Sequence, residues 1–254
     1  MATIVNELSY GDAPVKIRND LTESHARAWC RLAEPGIWHD GATRVAIAAE
    51  TRNAHGCALC AERKDALSPY NVAGAHASLG DLPDDVVEVI HRVATDPGRL
   101  MEPWFRGLLA DGMKDTEYVE TIGVLVTVVS IDTFARSIGM EPPALPEPMA
   151  GEPARHRPAG AKQGGAWVPW VSPGDLTQRE TDEGLYGEGG PFIGYIRRAL
   201  SLVPVEAVGF FDLVEHQYLP GREMRNFGEE YRAITHPQIE LIAARISVLN
   251  QCLY

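Results

Sequence analysis

Ala49-Glu50-Thr51-Arg52-Asn53-Ala54-His55-Gly56-Cys57-Ala58-Leu59-Cys60-Ala61-Glu62-Arg63-Lys64 is the stretch on which the reading of this 254-residue chain turns. An apolar, alanine-rich run from about Ala42 to Ala54 predicts a helix that stops at Gly56. The pair Cys57 and Cys60 then opens a further helix, which continues to Leu67 and is stopped by Ser68-Pro69. A two-residue spacer at a helix start brings both sulfurs together. The helix dipole and the free amides of the first turn stabilise a thiolate there. One thiolate can attack a peroxide or a disulfide, and the other can resolve the product as an internal disulfide. Two other readings fit the same residues. The pair can be buried cysteines packed as small hydrophobes, or it can bind zinc with His55 nearby. Zinc is disfavoured because one pair and one histidine lack the second ligand pair of a structural site.

Helical patterning extends in both directions. Upstream, Leu21, His25, Ala28, Trp29 and Leu32 recur at three- and four-residue intervals until Pro35-Gly36, and residues 1–20 read as an extended N-terminal arm. Downstream, Asp81-Leu82-Pro83-Asp84 is a helix start, with proline in the first turn and acids at the positive dipole end. That helix reaches about Thr95, and another spans Met101 to Ala110. Asp115 to Arg136 is rich in Val, Ile and Thr, which locally favours strand. Its length without a turn signal predicts a buried helix instead, closed by Gly139.

The strongest compositional shift lies at residues 141–190. Pro142, Pro143, Pro146, Pro148, Pro153 and Pro158 are followed by Gly160, Gly164 and Gly165, which is linker composition. Trp167 and Trp170 interrupt it and are expected to pack onto a domain. Helices are predicted again at Pro191–Leu202, Val205–Tyr218 and Glu223–Ile234. The last starts at Thr235 with a capping box completed by Gln238, its apolar face formed by Ile239, Ile242, Ile246 and Leu249. The organisation read from this is an arm (1–20), a helical unit carrying the cysteine pair (21–140), a linker (141–190) and a second helical unit (191–254), all-α throughout.

A net charge of −12, with scattered Lys and Arg, argues against nucleic acid or an anionic membrane as partner. The N-terminus lacks a basic and apolar leader, and the most apolar stretch, Ile122 to Ile131, is about half a membrane span. A cytoplasmic location is expected. There, four cysteines do not form a disulfide framework, and a spaced pair suggests redox or metal chemistry. His25, His91 and His216 lie within helical patterns and read as packed or surface residues. Cys30 reads as core, and Asp132 and Arg136 as a helical ion pair. The glycines around Gly160 and at Gly187–Gly190 do not match a phosphate loop.

Aligning Cys57 with Cys252 places Ile47-Ala48-Ala49 on Ile242-Ala243-Ala244. Each copy is an apolar helix leading through a breaker-like residue, Gly56 or Asn250, into a cysteine. The chain reads as two related helical units, the second cut short.

The Ala49–Leu67 region, the segment Asp96-Pro97-Gly98-Arg99-Leu100 and Gly107 to Gly139 resemble the alkylhydroperoxidase D-like and carboxymuconolactone decarboxylase-like family. Residues 190–254 resemble it again more loosely. Family members carry a glutamate, a cysteine twelve residues on, a second cysteine three further and a histidine four beyond that, the glutamate and histidine forming a proton relay for the thiols. Here Cys57 and Cys60 match the pair, but Val45 stands where the glutamate belongs and Lys64 where the histidine belongs. Glu50 and His55 are the substitutes available as bases, and Arg63 and Lys64 can lower a thiolate pKa by charge. In the second unit Glu240 stands twelve before Cys252, and the chain ends at Tyr254, before a second cysteine and histidine. Similar chains carry cysteine or selenocysteine at that place, so the end is expected to mark a recoded UGA codon, with a histidine codon four further in frame.

The resemblance implies an alkylhydroperoxidase-like helical bundle and a thiol-dependent antioxidant oxidoreductase of peroxidase or disulfide reductase type. Its site residues would be Cys57, Cys60, Glu50 and His55, with Glu240 and Cys252 forming a parallel site. By the family's order the second cysteine attacks peroxide. No cofactor or metal is implied. The implied partners are a peroxide or disulfide substrate, a thiol reductant protein and further copies of the chain in a homo-oligomer. A catalytically degenerate scaffold of the same fold, and a carboxymuconolactone decarboxylase-like lyase, are the alternatives.

Overall fold

The computed structural model describes residues 8–187, 193–250 and 252. Among the described residues it is mostly helical: α1 (Asn19–Ala33), α2 (Gly41–Ala54), α3 (Ala58–Asp65), α4 (Asp84–Thr95), α5 (Glu102–Ala110), α6 (Asp115–Ser137), α7 (Gln178–Asp182), α8 (Tyr195–Arg198), α9 (Pro204–Gln217), α10 (Gly221–Met224) and α11 (His236–Leu249). Two short strands, β1 (Ala161–Lys162) and β2 (Trp170–Val171), pair antiparallel with Ala161 opposite Val171.

The β-branched stretch is the central helix, α6. It packs against α2, α4 and α9, so the burial of Val124, Val128 and Ile131 decides its conformation rather than local propensity. Thr127 donates its hydroxyl to the Gly123 carbonyl one turn back, which satisfies it inside the helix. Among the described residues α6 alone is long and apolar enough to cross a membrane. Here it is a core helix, and its Glu120 and Asp132 are both buried in ion pairs.

α4 starts where Pro83 and the first-turn acids Asp84 and Asp85 place it. Its Val86, Val89 and Ile90 pack with Ile47 and Ala48 of α2 and Val128 of α6. Each such side chain contributes about 1.5–3 kcal/mol on burial. The α2–α4–α6 layer is the frame that holds the site described below.

The proline- and glycine-rich segment is laid over this frame as a strap. The Trp29 indole donates to the Ala144 carbonyl, the Met149 amide to Ala33 and the Arg155 amide to Ile37. Further on, Val168, Val171, Leu185 and Tyr186 share a core with Phe105, Val119 and Leu202. Trp170 is buried and Trp167 stacks on Phe105, as the two tryptophans suggested. α9 then packs against α1 and α6. Gly123 permits this closeness, because a Cβ there would meet Glu206 side-chain atoms at 2.7–2.8 Å. Glu206 and Glu120 both hold the buried Arg44 guanidinium, at 2.6 and 2.7 Å, tying α2, α6 and α9 together.

Two expectations are corrected. The helix over Glu223–Ile234 is absent beyond Met224. There the Asn226 side chain accepts from the Gly228 amide, a local turn that competes with helix. The helix over Pro191–Leu202 is reduced to Tyr195–Arg198, and its start at Pro191 and Phe192 lies outside the described residues. Of the apolar face of α11 only Ile239 is buried, while Ile242, Ile246 and Leu249 are exposed. The N-terminal arm is anchored at its described end, where Leu8 and Tyr10 are buried in the core.

Candidate functional site

Cys57 is the N-cap residue of α3 and Cys60 lies in its first turn. Cys60 Sγ faces α4 and Cys57 Sγ faces the segment between α3 and α4, and the two residues are 3% and 4% exposed. The last turn of α3 is held by Arg99, which donates to the carbonyls of Arg63, Lys64 and Ala66 while Asp96 pairs with it. The Asp96–Arg99 segment thus finishes the helix that presents the cysteines.

Two histidines complete the site. His91 is carried inward by α4 and is fully buried. Its Nδ1 lies 3.3 Å from Cys60 Sγ, and its Nε2 lies 2.8 Å from Glu50 Oε1 on α2. His76 comes from the irregular segment between Asn71 and Asp84. Its Nδ1 lies 3.6 Å from Cys57 Sγ and 3.5 Å from Cys60 Sγ, and its Nε2 lies 2.8 Å from Glu88 Oε2. The four donor atoms of Cys57, Cys60, His76 and His91 all lie within 4.8 Å of one another.

The segment bearing His76 is pinned from several sides. Gly74 lets it lie on α3, since a Cβ there would meet Leu59 Cδ1 at 2.9 Å. The Ala77 amide donates to Cys57 Sγ at 3.5 Å. Glu50 accepts from the Leu79 amide at 2.9 Å, the Ser78 hydroxyl at 3.3 Å and the Asn53 side chain at 2.9 Å. Each carboxylate therefore fixes the orientation of one imidazole and is itself fixed.

The electrostatics follow from these contacts. Burial opposes ionisation of Cys60, but hydrogen bonds from His76 and His91 outweigh it and bring its pKa down to about 6. Cys57 is lowered as well, its burial outweighed by the Ala77 amide and His76. Burial likewise opposes charge on His76, yet its contacts with Cys60 and Glu88 push it up to about 10. Glu88 is brought down to about 2 against its burial by His76 and Arg63. Glu50 is lowered by His91, Asn53 and the Leu79 amide, again against burial.

Of the sequence-predicted residues, Cys57, Cys60 and Glu50 meet here. His55 does not: it caps α2, is exposed, and makes no hydrogen bond to either sulfur among the described residues. Glu240 accepts from the Tyr218 hydroxyl at 2.7 Å on the surface, and Cys252 is exposed. Neither bonds to the Cys57–Cys60 cluster among the described residues. Lys64 is exposed, whereas Arg63 acts on the site through Glu88 and His76. His91, read from sequence as packed or surface, is packed and faces Cys60, and His76, backed by Glu88, faces both cysteines. The two histidines thus stand where a second pair of metal donors could act. The available signals were Cys-x₂-Cys followed by His76 and His91, and a histidine on the apolar face of α4.

The chain matches no protein-family model, no curated protein and no solved structure.

Proposed function

We propose that Cys57 and Cys60 form a dithiol–disulfide centre of a thiol-dependent oxidoreductase, with Cys60 as the attacking thiol. The observation that carries this reading is the continuous chain from Glu50 through His91 to Cys60, beside a second cysteine positioned to resolve. The relay that family members build from a glutamate and a histidine on the cysteine helices would here be built from α2 and α4. This supports the alkylhydroperoxidase D-like resemblance despite Val45 and Lys64.

In the reaction, the Cys60 thiolate attacks the distal oxygen of a hydroperoxide, and the O–O bond breaks. Cys60 becomes the sulfenic acid, and the leaving alkoxide takes a proton relayed through His91. The Cys57 thiolate then attacks the Cys60 sulfur, forming the disulfide and releasing the sulfenic oxygen as water with a proton from His76, whose Nδ1 faces both sulfurs. A dithiol protein restores the pair by exchange. Burial of both sulfurs favours small hydroperoxides over bulky ones.

Peroxide consumption with dithiothreitol, and trapping of sulfenic acid by a dimedone probe, test the reading. Turnover is expected in the native chain. The expected Cys57→Ser result is no turnover with Cys60 labelled, and the expected Cys60→Ser result is neither turnover nor label. Turnover that survives both substitutions rules out this pair as the active thiols. No turnover in the native chain favours the degenerate scaffold.

A further inference from the structure

We infer that the reduced chain binds one zinc ion between Cys57, Cys60, His76 and His91, and that zinc and the Cys57–Cys60 disulfide exclude each other. A dithiol centre needs one base. This site has two imidazoles, each turned by its own carboxylate so that Nδ1 faces the same small volume as the two sulfurs.

The distances suit the ion. With Zn–S near 2.3 Å and Zn–N near 2.0–2.1 Å, a tetrahedron has S···N edges of about 3.5 Å. Three of the four sulfur–nitrogen separations are 3.6, 3.5 and 3.3 Å, and all four donor atoms lie within 4.8 Å of one another. The outer contacts suit it too. Both Nε2 atoms lie 2.8 Å from a carboxylate, Glu88 for His76 and Glu50 for His91, the arrangement that orients metal-binding histidines and increases their donor strength. The Ala77 amide donates to Cys57 Sγ, as amides do to a charged sulfur. Two thiolates and two neutral imidazoles balance the charge of a divalent ion within the donor set.

The metal site stands on this geometry alone. Its regulatory role rests on the proposed thiol chemistry. A hydroperoxide and two protons would convert the zinc-bound dithiolate into disulfide, free Zn²⁺, alcohol and water, the two sulfurs supplying the two electrons. Zinc would hold the thiols in a guarded form until oxidation or a stronger chelator removed it.

The test uses the full chain, reduced under nitrogen and freed of metal by chelator. Zinc is titrated against a chromophoric chelator, with bound metal measured by mass spectrometry. Cobalt(II) is added in parallel for its absorption spectrum. The expected results are one zinc per chain and a cobalt spectrum with thiolate-to-metal bands and intense tetrahedral bands. Zinc affinity should fall at least about 100-fold in His76→Ala, with Cys30→Ser and Cys252→Ser unchanged. Glu88→Gln, which keeps all four donors, should weaken it by roughly 10–100-fold with an unchanged circular dichroism spectrum. Less than a tenth of an equivalent bound by folded, reduced native chain, an octahedral cobalt spectrum, or loss of binding with Cys30 or Cys252 would overturn the metal site. Peroxide assays on metal-free chain separate the two claims. Turnover without zinc binding rejects only the metal, and stoichiometric zinc without turnover or zinc release by peroxide rejects the redox reading and the switch.

Discussion

Glu50 Oε1 lies 2.8 Å from His91 Nε2 although the residues are 41 positions apart, and both side chains are buried. The carboxylate belongs to α2 and the imidazole to α4, which the packing of Ile47 and Ala48 against Val89 and Ile90 holds side by side. The relation of acid to base is thus set by the same apolar contacts that stabilise the frame.

Glu50→Gln keeps one acceptor oxygen, and so one of the bonds from Leu79 to Oε2 and from Asn53 to Oε1, and it removes the charge that supports an imidazolium at His91. General acid–base catalysis typically contributes 10²–10⁴-fold. The second-order rate of Cys60 oxidation by peroxide, followed in metal-free chain by stopped-flow fluorescence, should fall about 100-fold. The circular dichroism spectrum should stay unchanged. An unaltered rate would remove Glu50 from the relay.

The buried set of Arg44 with Glu120 and Glu206 should respond unequally to substitution. Burial and the neighbouring Glu206 carboxylate push the Glu120 pKa up, with Arg44 opposing. Arg44→Met leaves two facing acids without their ion-pair partner, and breaking a buried pair in this way costs about 3–5 kcal/mol. Glu206→Gln leaves a one-to-one pair and should cost about 1 kcal/mol. Urea unfolding at pH 7 checks both values. The Arg44→Met deficit should shrink as the pH falls and the acids take up protons.

Stability should also decline in mild acid through His25. Burial, and then the nearby His216, lower its pKa to about 4 from an ordinary 6.5. Its Nε2 faces the Gln217 side-chain amide at 3.0 Å and its Nδ1 faces the Tyr10 hydroxyl at 2.6 Å, a pairing that suits the neutral ring. The unfolded chain binds this proton first, so the stabilisation is complete above about pH 6.5 and is lost as the pH falls toward 4. The effect should be about 1–3 kcal/mol. The difference in unfolding free energy between native chain and His25→Gln, measured from pH 7 to 4.5, should narrow by that amount.

The strap should unfold together with the helices. Leu185 is 2% exposed and packs with Phe105 and Leu202. Leu185→Ala should lower the stability of a single unfolding transition by about 2–4 kcal/mol. A main transition that does not move would show that residues 141–190 fold apart from the frame.

Local rules were enough for much of this molecule. The spacing of Cys57 and Cys60 at a helix opening, the proline and acids that start α4, and the uninterrupted length of α6 all act within one or two turns of chain, so they were legible in order. Even α6 shows the limit, because its β-branched content pointed to strand and only burial settled it as helix. The proline- and glycine-rich composition of 141–190 marked irregular backbone, yet could not tell that Val171 and Leu185 would complete a core with Phe105.

The site itself depended on tertiary structure. His55 is near the cysteines in sequence but lies on the outer end of α2, whereas His76, Glu88 and His91 are far along the chain and arrive by helix packing and a pinned segment. Periodicity tells which face of α4 turns inward. It does not tell which side chain of another element waits there, because that choice is made by long-range packing of apolar surfaces, which no local pattern encodes.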